Sequence, residues 1–149
     1  MATEPVNPES IRVILIEDHG MVRAGVRLLL EREPDLALVG EAADGAGGLC
    51  LALDLAAAGR VDLVVTDLGL PDLDGCELTR RLKAAHPALP VLALTIHDDE
   101  AHRRGALAAG AAAYVLKEAA ARELPAAIRA AARALALDWP DVGDAAAAV

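Results

Sequence analysis

Five short runs of apolar residues alternate along the chain with longer segments in which apolar residues recur every three or four positions. Runs of the first kind are typical of buried strands, and segments of the second kind are typical of amphipathic helices. Four of the five runs are almost continuously apolar, as parallel strands covered on both faces are. The strands are predicted at Arg12 to Ile16, Leu36 to Glu41, Leu63 to Thr66, Val91 to Leu94 and Ala113 to Leu116.

A helix is predicted after each strand. In the first helix Val22 and Val26 share one apolar stripe, and Asp44 and Asp74 stand where N-caps of the second and third helices are expected. Pro125 leaves the first residue of the fifth helix open, because proline fits best in a first turn. The helices are predicted at Met21 to Glu33, Gly45 to Ala58, Gly75 to Ala85, Asp99 to Ala109 and Ala121 to Leu137.

Repeated strand–helix units of this length predict a parallel sheet with right-handed crossovers, which is a doubly wound α/β fold of five strands and five helices. The 149 residues suffice for one domain with a core. We expect that domain at residues 11–137, with an N-terminal tail at 1–10 and a linker or C-terminal tail at 138–149. Ligand sites in such sheets lie outside the carboxyl ends of the strands.

The charge balance argues against direct nucleic-acid binding. The chain has 14 Lys and Arg against 23 Asp and Glu, a net charge of -9, whereas phosphate-backbone binding needs a basic face. Cys50 and Cys76 show neither metal spacing nor a disulfide framework, so buried reduced thiols are expected. Reduced thiols fit a cytoplasmic location, and no signal peptide or membrane span is predicted.

Polar residues follow four of the predicted strands at the point where each strand ends. Glu17 and Asp18 follow the first strand, Asp67 the third, Thr95 the fourth and Lys117 the fifth. Since parallel strands end at the same edge of a sheet, these side chains are expected at one rim. Clustered carboxylates repel one another by about 1 kcal/mol per pair in water and by about 4 kcal/mol at an effective dielectric constant near 20. A cation is therefore expected among them, and an open, all-oxygen site suits Mg²⁺.

The third strand end leads into the turn Asp-Leu-Gly-Leu-Pro-Asp-Leu-Asp-Gly at residues 67–75. This turn resembles that of the receiver domain of two-component response regulators, and the similarity extends from about Arg12 to Leu137. The segments at 17–19, 22–23, 40–42 and 95–100 are most similar to the NarL/FixJ (LuxR-type) subfamily. The resemblance implies a flavodoxin-like sheet of strand order 2-1-3-4-5.

The resemblance also implies a role for individual residues. Asp67 would accept a phosphoryl group from a sensor histidine kinase, and Mg²⁺ would be bound by Glu17, Asp18, Asp67 and the carbonyl of Gly69. Three further residues, Thr95 as the switch hydroxyl, Lys117 as the phosphate counter-ion and Tyr114 as the rotating aromatic, would complete the machinery. The domain would be a phospho-acceptor and not an enzyme in the ordinary sense.

The family pattern further implies an output surface on the face made by the fourth helix, fifth strand and fifth helix, where a homodimer would form. Members of this subfamily usually carry a C-terminal helix-turn-helix domain that regulates transcription. Only 12 residues follow Leu137, so we expect either a receiver fragment or a stand-alone receiver. Three positions depart from the common pattern: Glu17, Leu70 and Ile96. Bulky Ile96 is the one expected to affect phosphorylation rates.

Two other functions remain open at the level of sequence. A degenerate receiver would bind partners without phosphorylation, but Asp67 and Lys117 are both present. A haloacid-type phosphatase is a distant alternative, because Gly69 stands where its second aspartate is required. The other acidic loop residues are interpreted as helix caps or solvated loop positions, and the four histidines, which show no ligand spacing, as loop or surface residues. These acidic residues are Asp72, Asp74, Asp98 and Asp99, and the histidines are His19, His86, His97 and His102.

Overall fold

A computed structural model describes residues 9–136, so most of both proposed tails lies outside the described residues. The strands are β1 (Ile11–Ile16), β2 (Leu36–Ala42), β3 (Leu63–Asp67), β4 (Val91–Thr95) and β5 (Ala113–Leu116). The helices are α1 (Gly20–Glu31), α2 (Gly45–Ala57), α3 (Gly75–Ala85), α4 (Glu100–Ala108) and α5 (Ala120–Ala136), with a 3-10 turn at Lys117–Ala119 before α5.

The five strands form one parallel sheet in the order β2-β1-β3-β4-β5, which confirms the predicted fold class and strand order. Three strands, β2, β3 and β4, end one residue later than predicted. Asp67 still pairs with Leu94, and Thr95 still pairs with Leu116. Asp67 and Thr95 are therefore the last residues of β3 and β4, held by the sheet ladder, and not the first residues of the loops that follow.

The sheet has a hydrophobic core on each face. On one face, Val26 and Leu30 of α1 and Leu124 and Ile128 of α5 pack in a cluster with alternate residues of the central strands, such as Leu15. The other face is covered by α2 and α3. Alternate side chains of a strand point to opposite faces, so the stretches of the central strands that lie between these helices must be apolar on both faces. This double burial holds the ends of β1 and β3 at fixed positions.

Aspartates begin three of the helices, as the cap interpretation predicts. Asp44 accepts a hydrogen bond from the Gly47 amide at 2.7 Å, and Asp74 accepts one from the Cys76 amide at 3.0 Å. Asp99 accepts one from the amide of His102 at 3.3 Å. Each bond satisfies an amide that the first helical turn leaves without a partner.

Asp72 also caps a helix, but not the one that follows it in sequence. Its two carboxylate oxygens accept hydrogen bonds from the amides of Gly45 at 2.7 Å and Ala46 at 2.9 Å, both in the first turn of α2. The loop after β3 is thereby tied to the start of α2. These amide bonds hold the pKa of Asp72 below its usual value.

The structure differs from the sequence analysis in two smaller respects. Pro125 lies inside α5, where its missing N–H removes one helical hydrogen bond without ending the helix. Cys50 is exposed and Cys76 is partly buried, so the expectation that both thiols are buried was wrong; neither forms a disulfide. Within residues 9–136, no helix is long and apolar enough to cross a membrane.

Candidate functional site

Three carboxylates meet at the carboxyl edge of the sheet. Glu17 follows β1 directly, Asp18 is the next residue, and Asp67 ends β3 beside it. One ligand atom from each of these residues, together with one from His19, lies within 4.8 Å of the others. We refer to these four residues as the acidic pocket. The structure therefore brings together the acidic residues that the sequence placed at one rim.

Lys117 stands between two of the carboxylates. Its Nζ atom lies 2.9 Å from Oε1 of Glu17, an ion pair that is not aligned as a hydrogen bond, and donates a hydrogen bond to Oδ2 of Asp67 at 3.1 Å. The Glu17 side chain is completely buried, and those of Asp67 and Lys117 are 6% and 13% exposed. Burial lowers the pKa of Lys117, but its contacts with Glu17 and Asp67 outweigh that effect, so the pKa lies above its usual value.

The other oxygens of Glu17 and Asp67 are held by the backbone. Oε2 of Glu17 accepts a hydrogen bond from the amide of His19 at 3.0 Å. Oδ1 of Asp67 accepts one from the Gly69 amide at 3.1 Å. These bonds fix both carboxylates in orientation, so Asp67 has one oxygen on an amide and the other on an ammonium group.

Asp18 has a buried carboxylate oxygen that accepts no hydrogen bond. Its Oδ1 atom is buried from solvent and has no hydrogen-bond partner, although Nδ1 of the His19 ring lies 3.3 Å away. A buried carboxylate oxygen without a hydrogen bond is costly unless a cation or water satisfies it. Together with the all-oxygen donors of Glu17 and Asp67, this atom fits a hard divalent cation of the Mg²⁺ type.

His19 is a pocket residue that sequence reasoning missed. Its side chain is 67% exposed, in keeping with a surface position, but its ring also contacts Oε2 of Glu17 at 3.2 Å. No ligand spacing in the sequence points to His19, because its contact with Glu17 arises from the turn that starts α1. Arg23 of the same helix donates a hydrogen bond to the Glu17 carbonyl at 2.8 Å and fixes that turn.

The loop after Asp67 is positioned by a close backbone contact. The Gly75 amide donates a hydrogen bond to the carbonyl of Leu68 at 3.0 Å. A Cβ atom at Gly75 would lie 2.4 Å from the carbonyl oxygen of Asp67 and 2.5 Å from Cα of Leu68, which is closer than atoms can approach. Glycine is therefore required here for α3 to begin against the end of β3.

Thr95 and Tyr114 form a second group, joined through the backbone of His97. The Thr95 hydroxyl, almost completely buried, accepts a hydrogen bond from the His97 amide at 3.1 Å. The Tyr114 hydroxyl donates one to the His97 carbonyl at 2.5 Å. Burial raises the pKa of Tyr114. Ile96 between them points outward and is 71% exposed.

Comparison with known proteins places these features in a family. The family model of the response regulator receiver domain matches residues 13–129. Two similar relatives are transcriptional regulatory proteins: LiaR of Bacillus subtilis (strain 168), 40% identical over 125 residues, and DegU of Brevibacillus brevis, 35% identical over 139 residues. The matches cover 83% and 93% of this chain but only 56% and 57% of the relatives.

The structure is also similar to solved receivers. A LuxR-family two-component response regulator from Aurantimonas sp. SI85-9A1 aligns with a TM-score of 0.74 at 39% identity, covering 83% of this chain and 86% of that one. The agreement with the LuxR-type resemblance predicted from the sequence confirms that prediction. The chain spans a little over half the length of the curated relatives that it matches.

Replacing Lys117 with Met tests its place in the pocket. The variant keeps most of the side-chain volume but leaves Glu17 and Asp67 without their cation, so the free energy of unfolding should fall by about 3 kcal/mol at pH 7. Urea denaturation measures this change. The raised pKa of Lys117 implies that its stabilisation is full below pH 10.5, the value for free lysine, and is lost as the pH rises through the folded value.

Arg81→Met is the matched control, because Arg81 pairs with Glu77 at 3.0 Å on the surface of α3 with both side chains well exposed. Its loss should change the free energy of unfolding by less than about 1 kcal/mol. Equal stabilities of the Lys117 and Arg81 variants would contradict the account of the pocket.

Proposed function

Because the chain belongs to the response regulator receiver domain family, we propose that Asp67 accepts a phosphoryl group from a sensor histidine kinase. The observation that carries the proposal is the setting of the Asp67 carboxylate. It ends a central strand, one oxygen faces the Gly69 amide and the other faces Lys117, and the remaining acids stand beside it. An oriented carboxylate of this kind is a suitable nucleophile toward phosphorus.

The reaction is a phosphoryl transfer between a nitrogen and an oxygen. An oxygen of Asp67 forms a bond to the phosphorus of a phosphohistidine, the P–N bond breaks, and the imidazole leaves with its electron pair. The product is an acyl phosphate on Asp67. Lys117, already 3.1 Å from Oδ2, stabilises the negative charge on the phosphoryl oxygens, and the Gly69 amide holds the other carboxylate oxygen in place.

Glu17, Asp18, Asp67 and the Gly69 carbonyl would hold Mg²⁺. The buried Asp18 Oδ1 without a hydrogen bond supports this assignment, as does the set of hard oxygen donors. When bound, the ion offsets the charge of the acids and of the incoming phosphoryl group. The phosphoryl group adds about -1.5 to -2 charge by analogy with other phosphorylated side chains, so Lys117 alone cannot balance it.

The phosphorylated state would be read through Thr95 and Tyr114. The Thr95 hydroxyl would turn toward a phosphoryl oxygen and give up its bond from the His97 amide, and Tyr114 would turn into the space that Thr95 vacates. The bond of Tyr114 to the His97 carbonyl would break in the same step. The face formed by α4, β5 and α5 would repack between two states and serve as the output surface and homodimer interface.

We propose that the whole protein is a cytoplasmic transcription regulator. The relatives are named transcriptional regulatory proteins, and this chain corresponds to a little over half of their length. Residues 11–137 would be the receiver, between a tail at 1–10 and a linker at 138–149. The net charge of -9 argues against DNA binding by residues 1–149 themselves. In the whole protein, a helix-turn-helix domain outside these residues would bind DNA. The receiver would be a phospho-acceptor and not an enzyme that turns over an external substrate.

Replacing Asp67 with Asn should abolish covalent labelling by acetyl phosphate. The amide is a poor nucleophile, so intact-protein mass spectrometry should find the added phosphoryl mass on the wild type in the presence of Mg²⁺ and none on the variant. Asp98→Asn, a change of the same kind at an exposed loop position, should be labelled like the wild type. Labelling of the Asp67 variant would contradict the acceptor assignment, and an unlabelled wild type would favour a degenerate receiver.

The switch can be followed at the single tyrosine of the chain. Beryllium fluoride with Mg²⁺, which mimics an aspartyl phosphate, should shift the Tyr114 ring resonances in aromatic ¹³C NMR spectra as the hydroxyl leaves the His97 carbonyl. Thr95→Ala should keep acetyl phosphate labelling and lose at least half of that shift. A Tyr114 resonance that stays in place in the saturated wild type would overturn the switch.

A further inference from the structure

A second group of metal-ligating side chains lies outside the acidic pocket, where β4 leads into α4. His97 in the loop and Asp99 and His102 at the start of α4 offer one ligand atom each within 4.8 Å of one another. We call these three residues the histidine cluster. All three side chains are exposed, so they can move the short distance that coordination requires.

The two imidazole rings are stacked and nearly parallel, and they must tilt out of this stack to share an ion, because each nitrogen lone pair lies in the plane of its ring. Their centroids lie 3.9 Å apart and their planes differ by 6°. Nδ1 of His102 is 2.6 Å from Oδ1 of Asp99, so a carboxylate orients that ring. An ion bound by both residues would displace the proton shared between these two atoms, since metal ligands must be deprotonated.

The chemistry of this cluster differs from that of the acidic pocket. Imidazole nitrogens favour borderline transition-metal ions, whereas Mg²⁺ favours oxygen donors. Around a tetrahedral zinc ion the ligand atoms stand about 3.4 Å apart, since the bonds are close to 2.1 Å. The Asp99 and His102 atoms must move apart from 2.6 Å to reach that spacing, and the His97 ring must turn toward them, which exposed side chains can do. Beside the rings is a cavity of about 340 Å³, which also reaches Gly69 and Cys76 and leaves room for further ligands such as water.

We propose that His97, Asp99 and His102 bind a Zn²⁺-type divalent ion at the N-terminal end of α4. The site would have three protein ligands and an open position. It shares no residue with the acidic pocket, so one chain would hold a hard ion and a borderline ion at separate places.

The bound ion would also act on the switch, a consequence that rests on the function proposed above. The backbone of His97 carries the bonds to Thr95 and Tyr114. Coordination of the His97 ring to Asp99 and His102 anchors this residue to α4 in the arrangement that phosphorylation would break. Zinc should therefore oppose the switch, and by thermodynamic reciprocity phosphorylation should weaken zinc binding by the same factor.

Titration of the full chain with ZnCl₂ in 5 mM MgCl₂ tests the site directly. The chain has four histidines, one tyrosine and no phenylalanine, so aromatic NMR resolves the rings individually. One equivalent of Zn²⁺ should shift the ring resonances of His97 and His102 and leave those of His86 unchanged. The variants His97→Gln and His102→Gln should each bind Zn²⁺ at least tenfold more weakly by isothermal titration calorimetry.

His86→Gln is the matched control and should keep the wild-type affinity; both cysteines are present in every variant, so the differences report the imidazoles. Wild-type affinity in His97→Gln and His102→Gln would overturn the site. Affinity lost in His19→Gln but kept in the other two would assign the ion to the acidic pocket and overturn it equally. None of these outcomes depends on phosphorylation of Asp67.

The coupling between zinc binding and the switch is measured separately. Saturating Zn²⁺ should reduce the Tyr114 shift produced by a subsaturating amount of beryllium fluoride, and this reduction should vanish in His102→Gln. If zinc binds the histidine cluster but leaves the Tyr114 shift unchanged, the metal site is supported and its coupling to the switch is contradicted.

Discussion

The contact of Lys117 with Glu17 and Asp67 is the interaction on which the rest of the site depends. Glu17 and Asp67 have side chains that are less than a tenth exposed, so their negative charges repel each other strongly unless a cation contacts both. Lys117 supplies that charge from the residue that follows β5, although it is distant in sequence from both Glu17 and Asp67. The three strand ends must therefore keep a fixed relation, which the core on each face of the sheet maintains.

The pocket retains a deficit of positive charge even with Lys117 in place. Glu17, Asp18 and Asp67 bring three formal negative charges against the one ammonium group of Lys117, which lies within 3.1 Å of two of these carboxylates. Under the proposed function, this deficit would favour a divalent ion and make the site sensitive to an added phosphoryl group. Thr95 and Tyr114 both hydrogen-bond to the backbone of His97, whose ring belongs to the histidine cluster.

The sequence was sufficient to predict the sheet, because a parallel strand buried on both faces leaves an apolar run that few other structures produce. It also predicted which acids would meet, because their positions depend only on where strands end. The sequence pattern could not predict the side-chain rotamers and turns around these acids. The contact of His19 with Glu17 depends on the turn into α1, and the stacking of His97 on His102 joins a loop residue to a helical one. Contacts of this kind have no characteristic spacing in the sequence, so they could not be predicted from it.

Other differences have a similar local origin. The strand ladder extends through Asp67 and Thr95 because backbone pairing with the neighbouring strands continues after the apolar run has ended. Asp72 was correctly interpreted as a cap, but only the folded chain reveals that it caps α2 across the loop. Cys50 is exposed on α2, whose buried residues are Gly45, Gly48 and Ala52.

The central claim is that the fold creates an acidic pocket with an unmet demand for a divalent cation. Urea denaturation of the wild type and of Asp18→Asn, each with EDTA and with 10 mM MgCl₂, measures that demand most directly. Mg²⁺ should raise the free energy of unfolding of the wild type, by about 2.7 kcal/mol if its concentration is a hundred times the dissociation constant. In EDTA the variant should be at least as stable as the wild type, because one repelling charge is gone, and Mg²⁺ should stabilise it far less. A wild type indifferent to Mg²⁺, or a variant stabilised equally, would contradict the claim.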